Sequence, residues 1–460
     1  MAKTIVIGGT QSGSGKTLVS LALMAAFTRR GLTVQPFKCG PDFIDPGLHK
    51  AVTGNTSINL DGWMLSKSIC IDSYQKTVAE RKPDIAIVEG VMGLFDGASG
   101  SSDAGSTAEI AKWLNAPVLL VIDGRSMARS FAAVAHGFTT LDSELNFAGC
   151  IANRVGSDNH KSLVREAMQT YCPSVPLIGC MPRNEDITLP SRHLGLITAE
   201  EGFLNADLIG KLADWAEQNI DLEQLLFSLP EPVASTTVAN PSVKTEHIVR
   251  IAVARDAAFC FCYSDNLRLL QENGAEIVPF SPLEDKRLPQ DIDGIYLPGG
   301  YPELYAERLS LNASMRSAIQ AYSHSGKPVY AECGGFMYLT QSITAEEAAY
   351  PMCGVFNLHC TMGKKRSALG YREITTTADS ILGSQGTVAR GHEFHYSFAE
   401  EEKAYTSLYA VTDRKGTSTS TSGYTTANTV GSYVHLHFAS QPSVAKAFVD
   451  ACLQTRNLHD

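Results

Sequence analysis

The sequence has no surplus of basic charge, no long apolar run and no recognisable leader segment. Lys and Arg together number 38 against 48 for Asp and Glu, so the formal net charge is −10, whereas proteins that bind nucleic acid usually present a basic surface. No apolar stretch approaches the roughly 18 residues that suggest a membrane span. Because Met1–Gly9 already has the pattern of a buried strand, we expect no signal peptide. These absences favour a cytoplasmic protein with neither a nucleic-acid nor a membrane partner.

Metal-type cysteine spacing is also absent. The chain has 11 cysteines, and the closest pair is Cys260-x-Cys262, so no CxxC pair is available for zinc or for a redox motif. An odd number of cysteines fits reduced thiols in a cytoplasm. What the sequence does have is length and apolar material. Its 460 residues, 44% of them hydrophobic, are enough for two or three domains with cores of their own.

Short apolar runs alternate with helix-length segments over residues 1–228. The runs are apolar almost throughout, which is typical of strands buried on both faces of a parallel sheet, and the alternation indicates βαβ units. We therefore predict an α/β fold whose N-terminal domain, 1–228, is a doubly wound parallel sheet. Its predicted strands are Thr4–Ile7, Val34–Phe37, Ile85–Val88, Val118–Ile122, Ala148–Ala152 and Leu177–Met181.

A second α/β region follows a change in composition. Residues 229–248 contain three prolines and many hydroxyl side chains without a helical period, so we predict an interdomain linker. Residues 249–460 are predicted to form a second doubly wound domain, in which the Ser/Thr-rich segment Thr417–Thr429 is a solvated loop. The predicted strands of this domain are Ile251–Ala254, Glu276–Pro279, Gly294–Leu297 and Val329–Ala331.

A glycine-rich loop ending in Gly-Lys-Thr follows the first predicted strand and opens a helix. Glycines let backbone N–H groups approach phosphate oxygens, the helix N-terminus favours negative charge, and the lysine reaches the β- and γ-phosphates. One position departs from the strict phosphate-loop pattern, because Thr10 stands where glycine is usual. The loop predicts an ATP site formed by Thr10, Gly13, Ser14, Gly15, Lys16 and Thr17.

Acidic side chains follow the second and third predicted strands of the same domain. Ligands of open α/β sheets bind at the carboxyl ends of the strands, and phosphoryl transfer uses Mg²⁺ held by one or two carboxylates. We predict Thr17, Asp42 and Glu89 as Mg²⁺ ligands. Asp45 and Asp96 either contact the substrate or hydrogen-bond their own turns.

The second domain contains a candidate thiol nucleophile. Cys333 lies in Ala-Glu-Cys-Gly-Gly-Phe between a predicted strand and a helical stretch, an arrangement typical of a nucleophile elbow whose helix N-terminus favours thiolate. Gly299 and Gly300, in a turn after another strand, offer backbone N–H groups for an oxyanion. A thiolate needs a base that is distant in sequence. His435 and His437 lie in one predicted strand and therefore on the same side of it.

Two family resemblances follow from these motifs. The Thr10 departure, Lys38, the acidic stretches and Asn153 at the end of the fifth predicted strand resemble dethiobiotin synthetase and its relatives. Asn153 either supplies an amide to the adenine edge or is an ordinary strand end. The second domain resembles class I glutamine amidotransferases, whose Cys-His pair hydrolyses glutamine, and this resemblance assigns the base role to His435. Most of that class has His-x-Glu where this chain has His435-Leu-His437, so the third carboxylate is missing from its usual position.

Together the two halves resemble the cobyrinic acid a,c-diamide synthase family over nearly the whole chain. The resemblance implies amidation of the a- and c-acetate side chains of a cobyrinic acid-type tetrapyrrole in cobalamin biosynthesis. Glutamine is the implied nitrogen donor, ATP the co-substrate and Mg²⁺ the cofactor, in a monomer or homodimer. The roles of His392, His395 and His437 stay open. The most specific segments are Pro36–Asp45, Glu89–Gly97, Leu297–Glu303 and Arg390–Ser397.

Three alternatives remain at the level of sequence. The same architecture could amidate Ni-sirohydrochlorin or hydrogenobyrinic acid. Cobyric acid synthase is a near relative that acts on the remaining side chains. A P-loop regulatory ATPase with a non-catalytic amidotransferase-like module belongs to another class, which usually carries a second lysine early in the loop. This chain has none between Gly8 and Gly13.

Overall fold

The computed structural model of the protein describes residues 2–189, 191–192, 195–231, 248–401 and 405–459. It divides into two compact units, Met1–Ala239 and Asn240–Asp460, and each has a hydrophobic core of its own. Of the predicted linker 229–248, residues 232–247 lie outside the described part of the chain. Within the described part, no helix combines the length and the apolar character needed to cross a membrane.

A seven-stranded, entirely parallel sheet forms the centre of the first unit. The strand order is β3-β2-β4-β1-β5-β6-β7, and most strand residues are buried, as the apolar runs predict. The strands are β1 (Lys3–Gly9), β2 (Val34–Cys39), β3 (Ile58–Leu60), β4 (Ile85–Glu89), β5 (Val118–Asp123), β6 (Phe147–Val155) and β7 (Leu177–Pro182), followed by a small hairpin of β8 (Ser191–Arg192) and β9 (Gly195–Leu196).

Eight α-helices connect these strands or follow them. The first begins at Lys16 directly after Gly15, whose φ of 97° is in the left-handed region that glycine tolerates best. All residues from Val19 to Phe27 are buried, which explains why this helix shows little polar character. The helices are α1 (Lys16–Arg29), α2 (Ile44–Thr53), α3 (Lys67–Arg81), α4 (Thr107–Leu114), α5 (Arg129–Thr140), α6 (Asp158–Tyr171), α7 (Ala206–Asn219) and α8 (Leu222–Ser228).

The second unit is built on a six-stranded sheet of order β11-β10-β12-β13-β22-β21. All neighbours are parallel except β21 and β22, which form an antiparallel pair. The strands of this sheet are β10 (Val249–Ala254), β11 (Ala275–Phe280), β12 (Gly294–Leu297), β13 (Val329–Glu332), β21 (Gly423–Thr426) and β22 (Thr429–Ser432). The helices of the unit are α9 (Ser264–Glu272), α10 (Ala306–Leu311), α11 (Ala313–His324), α12 (Gly334–Leu339) and α13 (Ser443–His459).

Two further four-stranded sheets occupy the part of this unit for which the sequence predicted no strands. Their orders are β15-β14-β16-β19 and β20-β17-β18-β23. The strands are β14 (Ser342–Ala345), β15 (Ala348–Pro351), β16 (Leu358–Met362), β17 (Ala368–Thr376), β18 (Val388–His395), β19 (Ser397–Glu401), β20 (Tyr409–Asp413) and β23 (His435–Leu436).

Two local predictions for the second unit were wrong. The supposed loop Thr417–Thr429 contains β21, because Gly423–Thr426 pairs antiparallel with β22 and its hydroxyl side chains do not prevent pairing. The supposed single strand around His435 is interrupted. It ends at Ser432 and resumes at His435–Leu436, where it pairs with β18 in a different sheet. His435 and His437 therefore do not share one continuous strand face.

We expect replacement of Leu119 by alanine to destabilise the first unit by about 2–5 kcal/mol, because this fully buried side chain of β5 would leave a cavity. The matched control is Leu141→Ala, since Leu141 is 71% exposed, and we expect it to change stability by less than about 0.5 kcal/mol. All three tryptophans (Trp63, Trp113 and Trp215) lie in the first unit, so tryptophan fluorescence during urea unfolding reports on this unit. Equal midpoints for the two variants would contradict the prediction.

Candidate active sites

A cavity of about 710 Å³ opens at the carboxyl edge of the parallel sheet in the first unit. It is formed by the loop before α1, the ends of β2, β4 and β6, and the segment after β7. The structure thus brings together residues that are far apart in sequence. The predicted site residues that line the cavity are Gly13, Gly15, Lys16, Thr17, Asp42, Asp45, Glu89 and Asn153.

The phosphate loop is held in shape by contacts from β6. Asn153 Nδ2 donates a hydrogen bond of 2.9 Å to the carbonyl oxygen of Ser14. A Cβ at Gly15 would lie 2.0 Å from the same amide nitrogen, so this position requires glycine. The Lys16 ammonium donates to the carbonyl oxygens of Gln11 (3.3 Å) and Met92. Asn153 therefore supports the loop directly, and Lys16 has only neutral acceptors that phosphate oxygens could replace.

Glu89 is the centre of a buried polar cluster at the end of β4. Its Oε1 accepts from Thr17 Oγ1 at 2.7 Å and from Lys38 Nζ at 2.9 Å, and its Oε2 lies 2.7 Å from His49 Nε2. The other ring nitrogen of His49 lies 3.0 Å from Ser57 Oγ. The side chains of Thr17, Lys38 and His49 thus fix both oxygens of one carboxylate, and Ser57 orients His49.

His49 was not among the residues predicted from sequence. It is fully buried in α2, on the face that also carries Asp45, Leu48 and Val52. These positions follow the spacing of three, four and seven residues that marks the buried side of a helix. That spacing could have indicated an inward-facing histidine, although its partner Glu89 lies 40 residues away.

The charges in this cluster are balanced by Lys38, which bridges Glu89 and Asp45 (2.6 Å). Burial disfavours the ionised form of Glu89, but Lys38 and the hydrogen bond to His49 outweigh burial and hold the pKa of Glu89 below its usual value. Burial raises the pKa of Asp45 well above its usual value, with the charge of Glu89 adding to the effect. Burial, and then the charge of Lys38, lowers the pKa of Lys16.

The side chains of Thr17 and Glu89 fit a magnesium ion. Their oxygens are 2.7 Å apart, close to the roughly 2.9 Å between neighbouring ligands of an octahedral Mg²⁺ ion. No group of three or more His, Cys, Asp or Glu side chains suited to a metal occurs among the described residues.

Two of the predicted carboxylates are engaged in local turns. Asp42 accepts from the backbone N–H groups of Ile44 (3.3 Å) and Asp45 (2.9 Å), at the start of α2. Asp96 accepts from Gly93 N at 2.9 Å. Asp42 still lines the cavity, whereas Asp96, like Thr10 and Ser14, is not among the lining residues.

The candidate thiol site of the second unit lies where three neighbouring strands end. Cys333 directly follows β13, and its backbone N–H donates to the carbonyl oxygen of Ser432 at the end of β22 (2.7 Å). The φ of Cys333 is 43° and its ψ is −104°, a sparsely populated conformation for a non-glycine residue. A strained residue between a strand and a helix is what a nucleophile elbow requires.

The glycine turn after β12 packs closely against both the thiol turn and His435. A Cβ on Gly299 would lie 2.1 Å from Cε1 of the His435 ring. A Cβ on Gly334, the residue after Cys333, would lie 2.9 Å from the backbone nitrogen of Gly300. The glycine turn at 299 and 300 therefore lies against two partners, the His435 ring and the start of the helix after Cys333. A side chain at Gly299 or Gly334 would prevent these contacts.

His435 is buried between His392 and Glu332. The rings of His392 and His435 stack with centroids 4.9 Å apart and planes 13° apart, and the two residues are direct cross-strand partners in β18 and β23. His435 Nδ1 lies 4.0 Å from Glu332 Oε2. Burial, with a contribution from His392, lowers the pKa of His435 well below its usual value, which favours the neutral ring.

His437, which occupies the usual position of the third triad residue, is a buried neutral ring. It packs on Tyr263 with ring centroids 4.5 Å apart. Neither ring nitrogen has a hydrogen-bond partner among the described residues. Burial lowers the pKa of His437 to about 4. His437 therefore does not supply the carboxylate that most class I amidotransferases have at this position.

The strand β18 supplies neighbours of the thiol site that sequence reasoning left without a role. Glu393 accepts from Arg372 Nε (2.6 Å) and lies 2.8 Å from His395 Nε2. The ring of His395 stacks on Tyr433 with centroids 3.7 Å apart. These side chains form a buried, charge-paired layer beside the Cys333–His435 site, and their clustering depends on cross-strand pairing that no local motif reveals.

Known proteins resemble this chain over almost its full length. Its residues 5–197 match the family model of the CobQ/CobB/MinD/ParA nucleotide binding domain, and residues 250–443 match the CobB/CobQ-like glutamine amidotransferase domain. Cobyrinate a,c-diamide synthase of Syntrophotalea carbinolica is 45% identical over 453 residues, covering 97% of this chain and 98% of that protein. The synthase of Listeria monocytogenes serotype 4b is 43% identical, covering 94% of this chain and 96% of that protein. The synthase of Picrophilus torridus is also 43% identical, covering 98% of each chain.

The chain belongs to the cobyrinate a,c-diamide synthase family. This family membership confirms the predicted α/β fold with a P-loop domain and a glutamine amidotransferase domain. It also makes the chain an ATP-using, glutamine-dependent amide ligase.

The thiol of Cys333, the candidate nucleophile, has a raised pKa in this structure. Burial raises the pKa of Cys333 well above its usual value, and the charges of Glu303 and Glu393 add to this effect. The short helix α12 does not compensate for the burial. The prediction from sequence that the helix N-terminus favours thiolate is therefore wrong for this state, because burial dominates.

We expect alkylation of Cys333 by iodoacetamide to accelerate about tenfold per pH unit from pH 7 to pH 9 without reaching a plateau, because the thiolate fraction of a thiol with a raised pKa keeps rising over this range. The modification is quantified on the Cys333 peptide by mass spectrometry, and glutathione is alkylated in parallel as an unperturbed thiol. A rate that is already constant at pH 7 would indicate a preformed thiolate and contradict the prediction.

Proposed function

We propose that this enzyme amidates the a- and c-acetate carboxylates of a cobyrinic acid-type tetrapyrrole, with ATP and glutamine as co-substrates, as a step of cobalamin biosynthesis. The observation that supports the proposal is a cavity lined by the glycine-rich loop, together with a second unit in which His435 packs on Gly299 and the turn of Cys333 packs on Gly300, in one chain of the cobyrinate a,c-diamide synthase family. Neither site alone would account for the reaction, because amide formation needs both an activated carboxylate and a nitrogen donor.

The first unit activates the carboxylate. A carboxylate does not exchange its oxygen for ammonia unaided, so the γ-phosphoryl group of ATP is first transferred to it, giving an acyl phosphate and ADP. Lys16 leaves its carbonyl acceptors and neutralises charge on the transferring group. A bound Mg²⁺, held by Thr17 and Glu89, would add electrostatic stabilisation. Lys38 and His49 keep the Glu89 carboxylate ionised and correctly oriented.

The second unit produces ammonia. His435 takes the thiol proton of Cys333, and the thiolate attacks the side-chain amide carbon of glutamine. Backbone N–H groups at Gly299 and Gly300 stabilise the developing oxyanion. The imidazolium returns its proton to the departing nitrogen, ammonia leaves, and water hydrolyses the thioester to glutamate. The ammonia then displaces phosphate from the acyl phosphate to form the amide.

Several finer points stay predictions. Asp45 is proposed to contact the tetrapyrrole from the cavity wall, and Asp42 to complete the metal site. Contact with the tetrapyrrole is also proposed for Asp96, although its carboxylate accepts a hydrogen bond within its own turn. A cytoplasmic location, a monomer or homodimer and the lack of a nucleic-acid partner are likewise proposals. Ni-sirohydrochlorin, hydrogenobyrinic acid and a purely regulatory ATPase are not favoured by the names of the relatives.

We expect Cys333→Ala to abolish glutamine-dependent amidation of cobyrinic acid while leaving amidation with an ammonium salt within about twofold of wild type, because only the ammonia supply is removed. The measurement is ADP release together with the mass of the tetrapyrrole product. Cys353→Ala is the matched control, since Cys353 is a buried cysteine of the same unit, and it should retain both reactions. If wild-type protein releases no ADP with cobyrinic acid, the proposed substrate is wrong.

We expect Glu89→Gln to lower ammonia-dependent ADP release and to raise the Mg²⁺ concentration for half-maximal rate by at least about tenfold, because a charged ligand is lost. Glu109→Gln is the control. The Glu109 carboxylate belongs to the same unit and accepts a hydrogen bond from the backbone N–H of Gly105. Glutamine hydrolysis by the second unit should persist in both variants. An unchanged Mg²⁺ requirement in Glu89→Gln would exclude Glu89 as a metal ligand.

A further inference from the structure

The base of the glutaminase site needs an acidic partner that its sequence motif does not provide. In a Cys-His-acid site the acid holds the imidazole in the orientation and tautomer that leave one ring nitrogen free for the nucleophile. The usual position of this acid is two residues after the base, and here it is His437, which is buried and packs on Tyr263. A carboxylate for His435 must therefore come from another element.

We propose that Glu332, the residue immediately before the nucleophile Cys333, is the positioning carboxylate of His435. Both side chains are almost completely buried, and Glu332 Oε2 lies 4.0 Å from His435 Nδ1. This separation is longer than a hydrogen bond, but such contacts are often long before substrate binds and shorten in the reactive complex.

The carboxyl group of Glu332 is itself held by three donors. Its Oε1 accepts from Tyr330 Oη (2.7 Å) and from the backbone nitrogen of Leu436 (3.0 Å), and its Oε2 accepts from Tyr296 Oη (2.9 Å). Leu436 is the residue after the base. The same carboxyl group therefore fixes the backbone that carries His435 and faces the ring of His435.

The surroundings of Glu332 make this arrangement specific to the glutaminase site. Burial raises the pKa of Glu332 to about 8 despite its three hydrogen bonds, so the resting carboxyl group is mostly protonated near pH 7, and a cation beside it would favour its ionised form. That cation forms only when His435 accepts the thiol proton. On the opposite side the ring is fixed by the parallel face of His392.

The proton movement is then fully accounted for. The thiol proton of Cys333 goes to Nε2 of His435, and the Nδ1–H of the resulting imidazolium donates to Oε2 of Glu332. When ammonia leaves, the Nε2 proton goes with it, and His435 returns to its neutral form. In this scheme Glu332 acts on the thiol through the ring of His435, and its charge also adds directly to the raised pKa of Cys333.

The test is the release of glutamate from glutamine, which does not depend on the tetrapyrrole. For Glu332→Gln we expect kcat to fall by about tenfold or more with KM for glutamine within twofold of wild type, because a general base loses its orientation while the binding site is kept. Amidation with an ammonium salt should be unchanged. A fall of less than tenfold overturns the proposal. Since the assay measures glutamine hydrolysis alone, its outcome is independent of whether cobyrinic acid is the substrate.

A second readout separates positioning from a merely structural role. Glu332→Gln should slow the alkylation of Cys333 at pH 8, but the same change in a His435→Asn background should have no further effect, because Glu332 acts through His435. Equal slowing in both backgrounds overturns the proposal. Tyr322→Phe is the matched control, because it removes a hydroxyl of the same unit that donates to the carbonyl oxygen of Ile292 and not to Glu332.

If Glu332→Gln does not fold, Tyr296→Phe decides the question. This change removes only the hydroxyl bound to Oε2, the oxygen that faces His435. A lower kcat at unchanged KM in Tyr296→Phe, without the same fall in Tyr322→Phe, supports the proposal. Equal kcat values for the two variants overturn it.

Discussion

Parallel strand pairing is the constraint on which both candidate sites depend. Neighbouring parallel strands present their carboxyl ends at the same edge, so residues distant in sequence come together there. In the first unit Lys38 of β2 pairs in register with Glu89 of β4, and their side chains bond directly. In the second unit Glu332 of β13 pairs with Ser432 of β22. A shift of register by one residue would turn these side chains to the opposite face and separate both sets of functional groups.

The two sites handle buried charge in opposite ways. In the first unit the carboxylate of Glu89 stays ionised because Lys38 and His49 compensate for its burial, which suits a site that must attract a cation and polyphosphate. In the second unit burial favours the uncharged forms of Cys333 and His435. In the proposed mechanism, the thiolate of Cys333 and the imidazolium of His435 form only after glutamine binds. Such a site avoids the oxidation and modification that a permanent thiolate invites, and its reactivity is tied to substrate.

Much of the fold and part of both sites could be predicted from the sequence, since buried parallel strands, the phosphate loop and the nucleophile elbow are local patterns. The two four-stranded sheets could not, because many of their residues are partly exposed and several of their strands pair across long sequence distances, such as β16 with β19 and β18 with β23. The role of His49 could not be predicted either, because its partner Glu89 is 40 residues away and approaches it only in the folded protein. The thiolate prediction failed because burial of Cys333 is a property of the packed structure and not of the motif.

The position of the acid also changes how the thiol site is assembled. Where the acid follows the base by two residues, both belong to one strand, and the nucleophile must be placed against them. Here Glu332 and Cys333 are consecutive at the end of β13, and His435 lies in β23, which pairs with β18 of another sheet. The bond from Cys333 N to Ser432 O and the bond from Leu436 N to Glu332 Oε1 connect these two segments on either side of His435. The geometry of the three groups therefore depends both on the pairing of β13 with β22 and on the pairing of β18 with β23.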